Sequence, residues 1–222
     1  MLKIRNLILL MGMLISPLAA SDAQVSVGIS FPHVNIGINV PAYPRLVRVP
    51  SYPVYYAPQL EANYFFFDGM FWLFHNDNWY ASSWYNGPWS FVRPEYVPMY
   101  VLRVPVRYYR HPPSYFHGWQ RSAPPRWREN YGYEWEQQRR GDWDREGRRA
   151  APSPAPLPSY QRQYSRDQYP RKVEQQQQLL QQKYRYQPRE PVVQQHYQEL
   201  RKGQGQGKDR GQGQGKGQDR NK

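Results

Sequence analysis

The 222-residue chain has no cysteine. That excludes disulfides, thiolate metal sites, a cysteine nucleophile and a lipidated-cysteine anchor. Apolar runs long enough to span a bilayer, about 20 residues, are also lacking. Leu, Ile and Val are sparse after residue 60, and mean hydropathy is −0.94. A large aliphatic core is therefore excluded, and a small aromatic core with long flanks is expected. Catalytic signatures are missing too: there is no Gly-x-Ser-x-Gly elbow, phosphate-binding glycine loop or Ser-x-x-Lys. The five histidines, His33, His75, His111, His117 and His196, form no metal-ligand spacing. Asp68, Asp77 and Glu95 are among the acids near the aromatic region, and turn chemistry accounts for the first two. No enzyme, metal or cofactor is expected.

What is present begins with an export signal. Lys3 and Arg5 precede the apolar run Leu7 to Ile15, and Ser16-Pro17 and small residues follow. This is a signal-peptide pattern over 1–23. Cleavage is expected between Ala23 and Gln24, with Ala20 as the alternative site.

Charge is unevenly placed. Residues 1–100 hold five basic and five acidic residues; 101–222 hold 25 and 12, so the second half carries the whole +13. Such a basic half suits an anionic envelope surface, whether lipid headgroups or polymers. Nucleic acid, which a basic and aromatic chain would also fit, is not expected as a partner of an exported protein.

Thirteen of the 28 residues from Tyr64 to Phe91 are aromatic. Asp68-Gly69, Asn76-Asp77-Asn78 and Asn86-Gly87 punctuate this run with turn signals. The spacing predicts four strands near 62–67, 70–75, 79–85 and 89–92, folded as an antiparallel meander. In FFDGMF a two-residue loop at Asp68-Gly69 sets Phe67 opposite Met70 and Phe66 opposite Phe71. In WYNGPW, Pro88 has no N–H to close an Asn86-Gly87 loop. That turn should be wider, and the pairing of Trp84 with Trp89 looser.

Alternation over 25–40 predicts two short strands with a turn or bulge at 31–33. Proline spacing predicts extended edge structure over 41–60. One more strand is compatible with Tyr100 to Tyr108. Pro124-Pro125 could start a helix to Arg140, weakened at Gly132. Residues 172–186 and 192–200 have helical propensity. The fold class is mainly β: a small aromatic-rich antiparallel meander, then a disordered or loosely helical basic C-terminal half. The domains are the signal (1–23), an aromatic and proline-rich β module (24–118), a charged Trp-containing segment (119–150) and a low-complexity basic tail (151–222).

Consecutive rings put aromatics on both sheet faces. One set must be covered by the flanking chain or left exposed for stacking. Trp72, Trp79, Tyr80, Trp84 and Trp89 are the candidate stacking residues, with a glycan or peptidoglycan as the alternative partner.

The hexapeptide at Trp84, Gly87 and Trp89, and its variant at Phe66, Gly69 and Phe71, resemble secreted Gram-negative proteins with YXWGXW or WXXGXW repeats. The resemblance covers 61–92 and implies compartment and architecture, not an activity. The reading is an exported, non-catalytic envelope structural or interaction protein, periplasmic or associated with the outer membrane.

Overall fold

The computed structural model describes residues 33–34, 36–116, 127–148 and 150–202. The signal segment with its Ala23–Gln24 junction, the first of the two expected strands, and the tail beyond 202 lie outside the described residues. Seven strands form one sheet: β1 (His33–Val34), β2 (Val47–Arg48), β3 (Tyr55–Tyr56), β4 (Asn63–Phe67), β5 (Met70–His75), β6 (Asn78–Ser82) and β7 (Trp89–Val92). Strands β2 to β7 are a six-strand antiparallel meander, and β1 adds to the free side of β7.

The β4–β5 hairpin has the register expected from Asp-Gly: Phe67 opposes Met70, and Phe66 opposes Phe71. Asp68 and Gly69 both take positive φ, 49° and 91°, as the favoured two-residue hairpin loop requires. Phe66 and Phe71 meet with ring centroids 5.0 Å apart. The second hairpin departs from this, as Pro88 implies. β6 ends at Ser82, and the last β6–β7 pair is Ala81 with Ser90. Residues 83–88 form a wide turn in which Trp84 and Trp89 are not ladder partners.

Both sheet faces are buried. Phe65, Phe67, Met70, Trp72, Phe74, Trp79, Ala81 and Val92 share one face. Tyr64, Phe66, Phe71, Leu73 and Trp89 share the other. Alternate side chains along a strand divide between faces, so the run Tyr64 to Phe67 feeds both. The crossing from β1 to β2 connects opposite edges of the sheet and packs Ile36, Ile38, Val40, Tyr43 and Leu46 on the second face. Its side chains keep a period of two over 36–40 although that stretch has no ladder.

One expectation is corrected. The strand considered over 100–108 is instead a series of helical turns: 3-10 turns at Pro94–Tyr96, Val106–Tyr108 and Ser114–Phe116, and α1 (Met99–Leu102). Pro98 and Pro105 stand at their N-caps, where a missing N–H costs nothing. Val-Pro recurs in the sequence at 40–41, 49–50, 97–98 and 104–105, and the fold gives the pair a physical meaning. Val49, Val97 and Val104 are fully buried, and each proline then turns the chain.

The C-terminal half carries helices where propensity was read over 172–186 and 192–200. Helices are present: α2 (Trp127–Tyr131), α3 (Tyr133–Arg148), α4 (Val173–Lys183) and α5 (Pro191–Lys202). Gly132, at φ 92°, separates α2 from α3 where a weakened helix was expected. Residues 150–202, however, are laid against the sheet. Ala155, Leu157, Tyr169 and Tyr186 pack on the second face, and Val193 of α5 on the first. Tyrosines supply the apolar surface that a count of aliphatic residues missed.

Phe66→Ala and Phe71→Ala should each cost about 3–5 kcal/mol in denaturant unfolding. The double variant should lose less than the sum, because the two rings touch.

Candidate functional site

The polar groups with the richest sets of partners gather at the two glycine turns. At the first, Asp68 is only 5% exposed. Its carboxylate accepts a hydrogen bond from the Tyr186 hydroxyl at 2.5 Å. It also accepts the backbone N–H groups of Arg189 and Glu190, both at 2.8 Å. Those amides immediately precede α5, so Asp68, 121 and 122 positions away in the chain, anchors the backbone that leads into that helix. Tyr197 of α5 donates to the Gly69 carbonyl at 2.9 Å. Burial pushes the Asp68 carboxyl above its usual range, against the hydrogen bonds from Tyr186 and from the Glu190 and Arg189 amides, which pull it down.

The second turn is held by the segment 160–176. Tyr85 N–H donates to Gln161 Oε1 at 3.1 Å, and Gln161 Nε2 returns a bond to the Ser83 carbonyl at 2.9 Å. Trp84 Nε1 donates to the Gln176 carbonyl at 3.2 Å. Gln176 Nε2 donates to the carbonyls of Pro170 and Gly87, at 2.7 and 3.2 Å. Tyr169 also donates to the Gly87 carbonyl. Asn86 accepts the Val40 N–H at 2.6 Å and donates to Asn39 at 3.1 Å, tying the same turn to the β1–β2 crossing. Tyr64 and Tyr85 continue the network, donating to the carbonyls of Tyr85 and Tyr164 at 2.6 Å each.

The candidate stacking rings are placed plainly. Trp72, Trp79, Trp84 and Trp89 are 0–3% exposed. Tyr80 is half-buried and packs edge-on to Phe91. The four tryptophans offer no free face: of the two arrangements expected, cover by the flanking chain is the one found for them. Trp84 is enclosed by Tyr160, Tyr164 and Tyr169, all edge-on at centroid distances of 5.7–6.0 Å. The covering rings come from a stretch read as low-complexity tail.

A pocket of about 610 Å³ opens beside the first turn, lined among others by Phe67, Asp68, Tyr100, Arg139, Tyr186 and Arg189. Its one buried carboxylate, Asp68, already accepts three hydrogen bonds from the chain itself. Among the described residues, no group of three or more His, Asp or Glu could hold a metal ion, and no helix is long and apolar enough to cross a membrane.

The residues that sequence reasoning missed are Gln161, Gln176, Tyr169 and Tyr186. A buried glutamine offers a donor and an acceptor to an unpaired turn backbone. The visible signal was tyrosine recurring at 160, 164, 169, 184 and 186 within a polar stretch.

Compared with known proteins, the chain matches no family model, no curated protein and no solved structure.

Gly69→Ala and Gly37→Ala should separate backbone strain from docking. Both residues have positive φ, but a Cβ at Gly69 would lie 2.9 Å from the Tyr197 hydroxyl, whereas nothing lies within 4 Å of one at Gly37. Each should pay about 1–2 kcal/mol of left-handed strain, and only Gly69→Ala should make α5 more susceptible to limited proteolysis.

His196 of α5 is buried edge-on to Trp72 at 5.6 Å, and burial lowers its pKa to about 4. A histidine depressed in the folded state lends stability fully present above its unfolded value of about 6.5 and lost as pH falls through 4. Amide protection factors in α5, taken relative to the intrinsic exchange rate at each pH, should therefore fall between pH 6.5 and 4, and His196→Phe should flatten that step.

Proposed function

We propose that this is an exported, non-catalytic protein of the Gram-negative envelope, periplasmic or associated with the outer membrane, acting as a structural or interaction module on anionic surfaces. One observation carries the reading. The aromatic rings and the turn dipoles are spent on the chain itself, while the segment that spends them turns its cations outward. Arg162, Arg166, Arg171, Lys172, Lys183, Arg185 and Arg189 are all exposed. A closed aromatic core with a cationic exterior suits attachment by charge rather than capture of a substrate. The net charge of +13 and the signal-like N-terminus support the same compartment.

Cells expressing the tagged protein should yield it in the envelope fraction at low salt and release it in a high-salt wash, because surface ion pairing is screened. Recovery as a freely soluble periplasmic protein at low salt would remove the envelope attachment. Retention in the cytoplasm would remove export.

A further inference from the structure

Resting on that reading, we infer that the surface which meets the envelope is one particular seam: Arg45, Arg162 and Arg166 around Tyr43, recognising the phosphates of anionic lipid headgroups. Two distant parts of the chain meet there. The Arg166 N–H donates to the Pro41 carbonyl at 3.2 Å, and the Arg162 guanidinium lies over the Tyr43 ring, 5.5 Å from its centroid. Arg45 follows Tyr43 by two residues, and all three arginines are exposed.

Three features single out the seam among the basic residues. First, the ion pairs found among the described residues lie elsewhere, Arg93 with Glu95 and Arg110 with Glu61. The seam arginines are not neutralised in this way, and Asp167 is the only acid in its two stretches, 41–45 and 162–167. Second, stacking on Tyr43 orients the Arg162 plane while leaving its donors for oxygen ligands. Third, Arg166 holds a positive φ of 51°, a conformation costly for a residue with a Cβ and retained where surrounding structure over-determines it. That backbone begins the 3-10 turn Arg166–Gln168 and fixes the start of the turn against Pro41. Planar guanidinium groups held by a packed scaffold fit the forked geometry of phosphate oxygens. Arg45, Pro41 and Ala42 are exposed on one rim of the seam, and Arg162 and Arg166 on the other. It is a surface feature that a planar array of headgroups can reach.

The test is flotation of the full chain with vesicles of phosphatidylcholine alone or mixed with phosphatidylglycerol. The variant is Arg45→Gln/Arg162→Gln/Arg166→Gln. Its control, Arg93→Gln/Arg107→Gln/Arg128→Gln, removes the same charge elsewhere, and circular dichroism checks that both remain folded. The wild type should bind only the mixed vesicles. The seam variant should partition roughly a hundred-fold more weakly, the worth of three surface cations, and the control should lose much less. Equal loss in the two variants would overturn the seam and leave diffuse charge as the attachment. Soluble polyphosphate bound with the same dependence on the seam, without vesicle binding, would overturn the lipid source. Failure of the wild type to float, with salt-releasable retention in the cell envelope, would overturn the seam alone. Failure in both assays would overturn the envelope reading as well.

Discussion

Consecutive aromatic residues in paired strands impose the constraint on which the rest of this structure depends. Tyr64 to Phe67 and Met70 to Phe74 place large apolar side chains on both faces of one sheet, and every one of them is buried. A sheet with one wet face needs one cover; this one needs two. Fully burying a ring contributes about 1.5–3 kcal/mol, so leaving either face open would forfeit an amount comparable to the whole stability of a small domain, about 5–15 kcal/mol. The remainder of the chain is arranged accordingly. Helical turns from 94 to 116 close one face, the β1–β2 crossing and residues 155–169 close the other, and the arm then rounds the hairpin tip to set α5 on the first face.

The glycine turns make that arrangement specific. Apolar contact alone would hold the arm but would not fix its register, because hydrophobic attraction is not directional. Turns expose backbone carbonyls and amides that no neighbouring strand can pair. Gly69 and Gly87 present carbonyls to Tyr197, Gln176 and Tyr169, and Asp68 presents a carboxylate to the start of α5. Buried polar groups must find partners. Once the arm lies over the tips, a slip of one residue would leave those groups unpaired, at about 1–3 kcal/mol each. The motif that reads as a hairpin tip in sequence acts in the fold as an address for the C-terminal segment.

How much of this was legible follows from which physics is local. The register of FFDGMF depended on two loop residues and was readable in full. The wide WYNGPW turn followed from a missing N–H at Pro88. The helices α4 and α5 were visible as propensity. The packing of 150–202 was not, because it rests on contacts such as Trp84 with Gln176, 92 positions apart. Composition also misled. Gln161 and Gln176 are essentially closed to solvent, in a stretch whose Pro and Gln content resembles disorder. Turns replace the strand considered over 100–108 because the spacing of Val101, Val104 and Val106 reflects docking from proline-led turns, not a pleat.

The arm resolves what looked in sequence like a conflict between a sticky aromatic module and a soluble basic tail. Tyr160, Tyr164 and Tyr169 turn inward onto Trp84, and each is followed two residues later by a cation that stays outside: Arg162, Arg166 and Arg171. The tyrosine commits the backbone to the sheet, and the commitment aims the next arginine. Charge carried by a flexible tail would be averaged over many orientations, at an entropic cost on every binding event. Charge set between docked tyrosines has met that cost in folding. The aromatic excess and the basic excess are thus one feature: the rings that close the core also hold the cations in place on its surface.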